Sequence, residues 1–126
     1  MHVGFGSGNG LTDLTGDATA AHLHGLTASS GAAAFLENAG VKYPINTLAG
    51  WNPSLSTGGF NGVISILPAD VPALLAGRLY MNVHTATNPG GEVRGNLTAV
   101  PEPGTAGLAC AAAGLALLRR RRSRDA

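Results

Sequence analysis

The chain has 126 residues, of which 19 are glycine and only 12% are charged. One domain of ~100–200 residues fits that length, and the glycine-rich, charge-poor composition excludes a helical bundle in favour of short strands joined by turns. The net charge of +1 is made of a body at −3 (Lys42, Arg78 and Arg94 against Asp13, Asp17, Glu37, Asp70, Glu92 and Glu102) and an arginine-rich tail at +4, so the basic excess gives no reason to expect nucleic-acid binding by the body.

Cys110 is the single cysteine, which rules out an intrachain disulfide and a cysteine-based zinc site. It reads as a small buried hydrophobe. The core has to rest on Leu, Val, Ile and six aromatic rings: Phe5, Phe35, Phe60, Tyr43, Tyr80 and Trp51.

Residues 1–10 lack the basic n-region and continuous apolar stretch of a signal peptide. Residues 2–5 read as the end of a strand and Gly8-Asn9-Gly10 as a turn. Asp13 and Asp17 are four apart, without the alternating oxygens of a calcium loop, and read as turn residues. Residues 18–24 (Ala-Thr-Ala-Ala-His-Leu-His) read as a strand of small residues. His22 and His24 then share a face, ~6–7 Å apart along the chain. A loop over 25–31 leads to a short strand expected over 32–36. Residues 38–58, broken by Gly40, Pro44, Gly50 and Pro53, read as a long irregular connection anchored by Trp51. A strand is expected over 59–67. Residues 68–77 read as a short helix with Asp70 as N-cap, Pro72 in the first turn and Gly77 closing it.

The stretch Leu79 to Leu97 reads as a β-hairpin. Tyr80, Asn82 and His84 lie on one face of its first strand; Leu79, Met81 and Val83 lie on the other, facing a core. Asn88-Pro89-Gly90-Gly91 supplies the turn. Glu92 and Arg94 share a face of the return strand, as an exposed ion pair or as groups that pin the tip loop through charge-assisted bonds. Asn96-Leu97-Thr98 has the form of a glycosylation sequon, taken as coincidental.

The run Gly77-Arg78-Leu79-Tyr80-Met81-Asn82-Val83-His84-Thr85, followed by Asn88-Pro89-Gly90-Gly91-Glu92-Val93-Arg94-Gly95, resembles the end of a chordin-type (CHRD) domain. The upstream Ala21-His22-Leu23-His24-Gly25 resembles that family's other signature. The resemblance covers roughly residues 1–98. It implies an all-β, Greek-key antiparallel β-sandwich or barrel, resembling immunoglobulin-like or copper-zinc superoxide dismutase folds. Members usually begin with further strands and an export signal, whereas Met1 lies 21 residues before His22. The expectation is a domain short of its N-terminal strand or strands, with an open sheet edge.

Beyond it, Val100, Pro101, Glu102 and Pro103 break the fold within a linker over 99–103. Residues 104–118 are uncharged and precede Arg119, Arg120, Arg121 and Arg122. As a helix they would span ~22 Å, short of a ~30 Å hydrocarbon core unless arginines snorkel or the bilayer thins. The order of these features resembles the PEP-CTERM sorting signal. That resemblance implies processing by a membrane exosortase, membrane insertion through 104–118, and export through the inner membrane to the surface or extracellular matrix of a Gram-negative bacterium. Residues 104–126 are therefore expected to stand apart from the body's core. Deleting them should leave the thermal unfolding midpoint of the body almost unchanged; a large fall would show the segment packing on the sheet.

His22, His24 and His84 are the strongest chemical constellation. If their strands are neighbours, three imidazoles converge into a nitrogen-only set suited to copper or zinc, with the Irving–Williams order favouring Cu(II). The same residues could instead hold the hairpin through hydrogen bonds to loop carbonyls. The layout resembles that of copper-zinc superoxide dismutases, which implies His22, His24 and His84 as copper ligands. No histidine matches that family's bridging ligand and no cluster matches its zinc site. No Ser/His/Asp ordering, phosphate loop or carboxylate pair suggests catalysis. The reading is a non-catalytic surface module with an extracellular ligand, a copper- or zinc-binding protein as the alternative, and a dismutase-like redox enzyme as the third possibility.

Overall fold

The computed structural model describes residues 1–54, 56–98 and Gly104. The linker and the apolar tail, apart from Gly104, lie outside the described residues, and with them the expected C-terminal helix. Among the described residues, seven strands form two antiparallel sheets: β1 (His2–Phe5), β2 (Ala18–His24), β3 (Val41–Pro44), β4 (Trp51–Ser54), β5 (Thr57–Asn61), β6 (Tyr80–Thr85) and β7 (Val93–Asn96). One sheet runs β1-β5-β4 and the other β3-β2-β6-β7. The crossover after β5 places β6 beside β2 rather than beside its predecessor, and that crossover builds the site described below.

The core fills the space between the sheets. Phe5 and Phe60 come from the first sheet; Ala21, Leu23, Met81 and Val83 come from the second; Leu14 and Ile45 close the sides. Burying a Leu or Phe side chain contributes ~1.5–3 kcal/mol, so these few residues carry much of the hydrophobic stabilisation. Trp51 is the anchor expected: it faces Phe60 across β4 and β5 and its ring lies 5.8 Å from that of Phe5. β1 and β7 are edge strands flanking an open groove of about 510 Å³, with Phe5, Met81, Val83 and Leu97 in its wall.

Four local expectations need correction. The strand expected over 32–36 is a 3₁₀ helix, Gly31–Leu36. Its alanines have little strand preference, and Glu37 folds the preceding loop by accepting from the backbone N–H groups of Ala28 and Ser29. The connection over 38–58 contains β3 and β4, whose Pro44 and Pro53 disguise them. Both are edge strands, where a residue without an N–H is tolerated.

The strand over 59–67 is shorter than its pattern. Pairing stops at Asn61, after which Ile64 and Ile66 still pack on the core while Val63 and Leu67 face solvent. Alternation survived because it tracks burial, and burial does not require a ladder partner. Residues 68–77 form a 3₁₀ turn (Pro68–Asp70) and a one-turn helix, α1 (Val71–Leu75), with Pro72 in its first turn. Gly77 follows with φ +69, a conformation that favours glycine.

Asp70 stands at the N-cap position of α1, as expected, but its side chain makes no capping hydrogen bond. Its buried carboxylate accepts from Tyr43 Oη at 2.6 Å and from Lys42 Nζ at 3.0 Å. The Tyr43 hydroxyl, and then Lys42, hold this carboxyl below its ordinary range; the same bond raises the Tyr43 phenol. The pair ties edge strand β3 to the crossover helix.

Candidate metal centre

β2 and β6 pair antiparallel, with His22 opposite Asn82, His24 opposite Tyr80 and Ala20 opposite His84. Alternation sends Ala21 and Leu23 into the core and His22 and His24 to the other face. His84 lies two residues beyond Asn82 on that same face, diagonal to His22, within the reach of ring side chains. All three sequence-predicted ligands therefore converge. Their nearest ring nitrogens lie within 4.8 Å of one another.

Two of the distances decide what the cluster can do. His22 Nδ1 is 3.1 Å from His84 Nε2, and His24 Nε2 is 3.3 Å from His84 Nε2. Two nitrogens bound tetrahedrally to one metal at ~2.0 Å stand about 3.3 Å apart, so both pairs are already at ligand spacing.

The tautomers follow from the outer contacts. His24 Nδ1 lies 2.8 Å from the carbonyl oxygen of Ala39, and His84 Nδ1 lies 2.9 Å from that of Pro89. A carbonyl only accepts, so each Nδ1 is the protonated nitrogen and each Nε2 carries the lone pair. Two lone pairs thus face each other at 3.3 Å, an arrangement relieved by a shared proton or a metal ion. Burial, and then the charges of His84 and His24, lower the pKa of His22. The neutral imidazole, the form a metal needs, is favoured.

The surrounding residues fix the rings. Tyr80 stacks on His24, with centroids 5.1 Å apart and planes 19° apart, and Arg94 lies 3.6 Å over the Tyr80 ring. The Tyr80 hydroxyl accepts from Ala39 N and donates to Ala39 O, the carbonyl that also receives His24. Oriented outer contacts of this kind set ligand tautomer and basicity in metal sites.

The turn that carries Pro89 is held by Glu92, through Thr85 and Asn88 at its start. The carboxylate accepts from Thr15 N at 2.6 Å, Thr15 Oγ1 at 2.9 Å, Thr85 Oγ1 at 2.6 Å and Asn88 Nδ2 at 3.0 Å. Of the two readings of Glu92 and Arg94, the structure has Glu92 pinning the tip loop. Arg94 does not pair with it and donates instead to the carbonyls of Glu37 and Ala34. Gly91, at φ +116, gives the turn its shape; a Cβ there would meet the Asn82 amide.

Sequence reasoning missed Thr15, Ala39 and the Tyr80 stack. The first two act through backbone groups or across 77 residues. Tyr80 was visible on the histidine face but carried no signal of its partner. Asp13 serves as a turn residue, accepting from Ser7 N.

The bonds to Glu92, led by that from Thr85, lower its pKa from 4.5 to about 2. Because the folded value is depressed, the stabilisation is present above about 4.5 and is lost as pH falls towards 2. Glu92→Gln should melt several degrees below the parent at neutral pH, and the difference should shrink from pH 4.5 to pH 2. Melts recorded across that range check this; a constant gap would place the effect in shape rather than charge.

These observations define an antiparallel β-sandwich with a three-histidine cluster on one face. The CHRD domain profile matches residues 6–97, and the chain belongs to the CHRD domain family. A PEP-CTERM protein-sorting motif matches residues 99–122, directly behind it. That motif is recognised by exosortase and marks a protein for export and sorting. Neither a curated protein nor a solved structure matches the chain. Among the described residues no helix is long and apolar enough to cross a membrane; residues 105–118 lie outside that search.

Proposed function

We propose that this chain is a non-catalytic β-sandwich module, sorted by its tail to the surface or extracellular matrix of a Gram-negative bacterium, that holds one copper or zinc ion between His22, His24 and His84. The observation that carries the reading is the facing pair of Nε2 lone pairs, 3.3 Å apart, with both Nδ1 groups committed to carbonyls. A donor set of three neutral nitrogens suits Cu(II) above Zn(II) by the Irving–Williams order. The sorting motif supports passage through the inner membrane, with residues 104–118 as the membrane segment and exosortase as the processing partner. An extracellular ligand for the module is part of the same reading.

Calorimetric titration of the metal-stripped full chain with Cu(II), and separately with Zn(II), tests it. One ion per chain is expected, with copper the tighter. No saturable uptake of either ion would overturn the metal reading and leave the imidazoles as hairpin clamps. A dismutase assay on the copper-loaded chain tests the absence of catalysis: turnover would revive the redox-enzyme alternative.

A further inference from the structure

His24 lies opposite Val41 of β3 and Tyr80 of β6, and Tyr80 lies opposite Asn96 of β7. These four residues form a row that closes one end of the four-stranded sheet. The tip turn lies at the other end, one strand length or ~20 Å away. Beyond the row is a single pole: the loop and 3₁₀ helix between β2 and β3, α1 ahead of β6, and the chain leaving β7. Gly31 N donates to Ala76 O at 3.1 Å, joining the start of the 3₁₀ helix to the end of α1, and Leu97 N donates to Leu79 O at 3.0 Å. A Cβ on Gly77 would stand 3.5 Å from Gly31 N and 3.7 Å from Leu97 O. The chain therefore leaves the body beside both helices.

Phe35, Leu36, Val41, Val71 and Leu75 are exposed at this pole, Leu36 at 93% and Leu75 at 64%. Val71 and Leu75 are four apart and share the outer face of α1, away from the buried Ala73. Exposed apolar groups gathered in one place mark a protein or membrane contact. The charged residues of segments 25–40 and 67–79 are Glu37, Asp70 and Arg78, and the body already engages each of them. Glu37 accepts from the N–H groups of Ala28 and Ser29, Asp70 pairs with Lys42, and Arg78 gives its Nε–H to Thr27 O at 2.6 Å. An apolar layer laid on the pole therefore meets side chains that gain from leaving water, and strips little water from charge.

We infer that this pole rests on the lipid surface while the tail is in the membrane, with Leu36 and Leu75 entering the headgroup boundary; the inference rests on the reading of residues 104–118 as the membrane segment. The occupant is lipid rather than a second copy because of where the tail begins. Six peptide steps from Thr98 to Gly104 reach at most ~22 Å, about one strand length, so the body cannot stand far from the bilayer. The membrane segment itself, ~22 Å as a helix against a ~30 Å hydrocarbon core, has no length to spare for holding the body away. The pole is the part of the body nearest this tether. Lipid meets it at a high effective concentration, whereas a second copy has to be found by diffusion. Apolar side chains in such a contact sink ~5–10 Å into the boundary between headgroups and acyl chains.

The test places a polarity-sensitive fluorophore on single cysteines of the full chain in vesicles of phosphatidylethanolamine and phosphatidylglycerol. Cys110 of the parent reports the tail. Leu36→Cys and Leu75→Cys report the pole, and Ala86→Cys, exposed beside the tip turn, reports the opposite end; these three carry Cys110→Ala as well. A lipid with a nitroxide high on its acyl chain is the quencher. Strong quenching at Cys110 is expected, with quenching at positions 36 and 75 at least ~2-fold that at position 86, as entry into the headgroup boundary requires. Equal quenching at 36, 75 and 86 with Cys110 quenched overturns the inference and leaves the membrane reading of the tail standing. An unquenched Cys110 overturns that reading, and the inference falls with it. A blue shift at 36 and 75 without quenching also overturns the inference, by placing the pole against protein, such as a second copy. Should either pole variant fail to melt cooperatively, Phe35→Cys and Val71→Cys carry the same comparison.

Discussion

His24→Ala is expected to reduce copper affinity by more than the ~10–100-fold that loss of an outer contact costs in metal sites. His24 is the most constrained of the three rings. It is 8% exposed, stacked on Tyr80 and fixed through Nδ1 to Ala39 O. Its Nε2 therefore has one available direction, towards His84 Nε2. Removing it leaves the 3.1 Å pair of His22 and His84, two donors where three converged. His22 is only half-buried, and no carbonyl orients it among the described contacts. The comparison is a calorimetric copper titration of variant and parent, with cooperative melting of each checked first. Superimposable isotherms would sink the metal reading.

Phe60→Ala should be the most destabilising single truncation in the first sheet. Phe60 is 1% exposed. It sits on the central strand β5, opposite Val3 on one side and Trp51 on the other. Emptying such a site costs ~3–5 kcal/mol. Total stability for a domain is ~5–15 kcal/mol, so this loss is a large fraction of it. The unfolding midpoint should fall by more than ~10 °C. Phe60→Leu, which keeps most of the volume, should cost much less. Calorimetric melts of the two variants check the order; equal midpoints for Phe60→Ala and the parent would mean that the two sheets are not joined through this ring.

The sandwich and its site were legible to different depths. β2, β6 and the tip turn declared themselves through alternation and through Asn88-Pro89-Gly90-Gly91, because those signals are local. The shared face of His22 and His24 follows from strand period alone. That His84 joins them depends on β6 lying beside β2, a pairing across about sixty residues that no local pattern encodes; it stands in the sequence reading only as a condition, favoured by the likeness to the copper-zinc superoxide dismutase layout. Pro44 and Pro53 hid two edge strands, since a proline signals a break whether the strand ends or merely lies outermost. Asp70 looked like a cap because its position suited one, and only the folded chain shows Lys42 and Tyr43 competing for the carboxylate. The grip of Glu92 on Thr15 spans 77 residues and was invisible for the same reason.

The distance in sequence between the two halves of the histidine cluster also sets the order in which the protein comes into being. His24 and His84 are 60 residues apart, and the entropy of closing that loop must be met before the central β2–β6 ladder exists. Ladders of such long range are slow to form relative to local hairpins. A chain emerging from its N-terminus presents His22 and His24 well before His84 and the hairpin carbonyl that orients it. On the proposed function, an ion encountered early meets two unoriented donors and is held weakly. On that reading the full site exists only once the β6–β7 hairpin has docked on β2, so the ion enters a folded domain rather than an emerging chain.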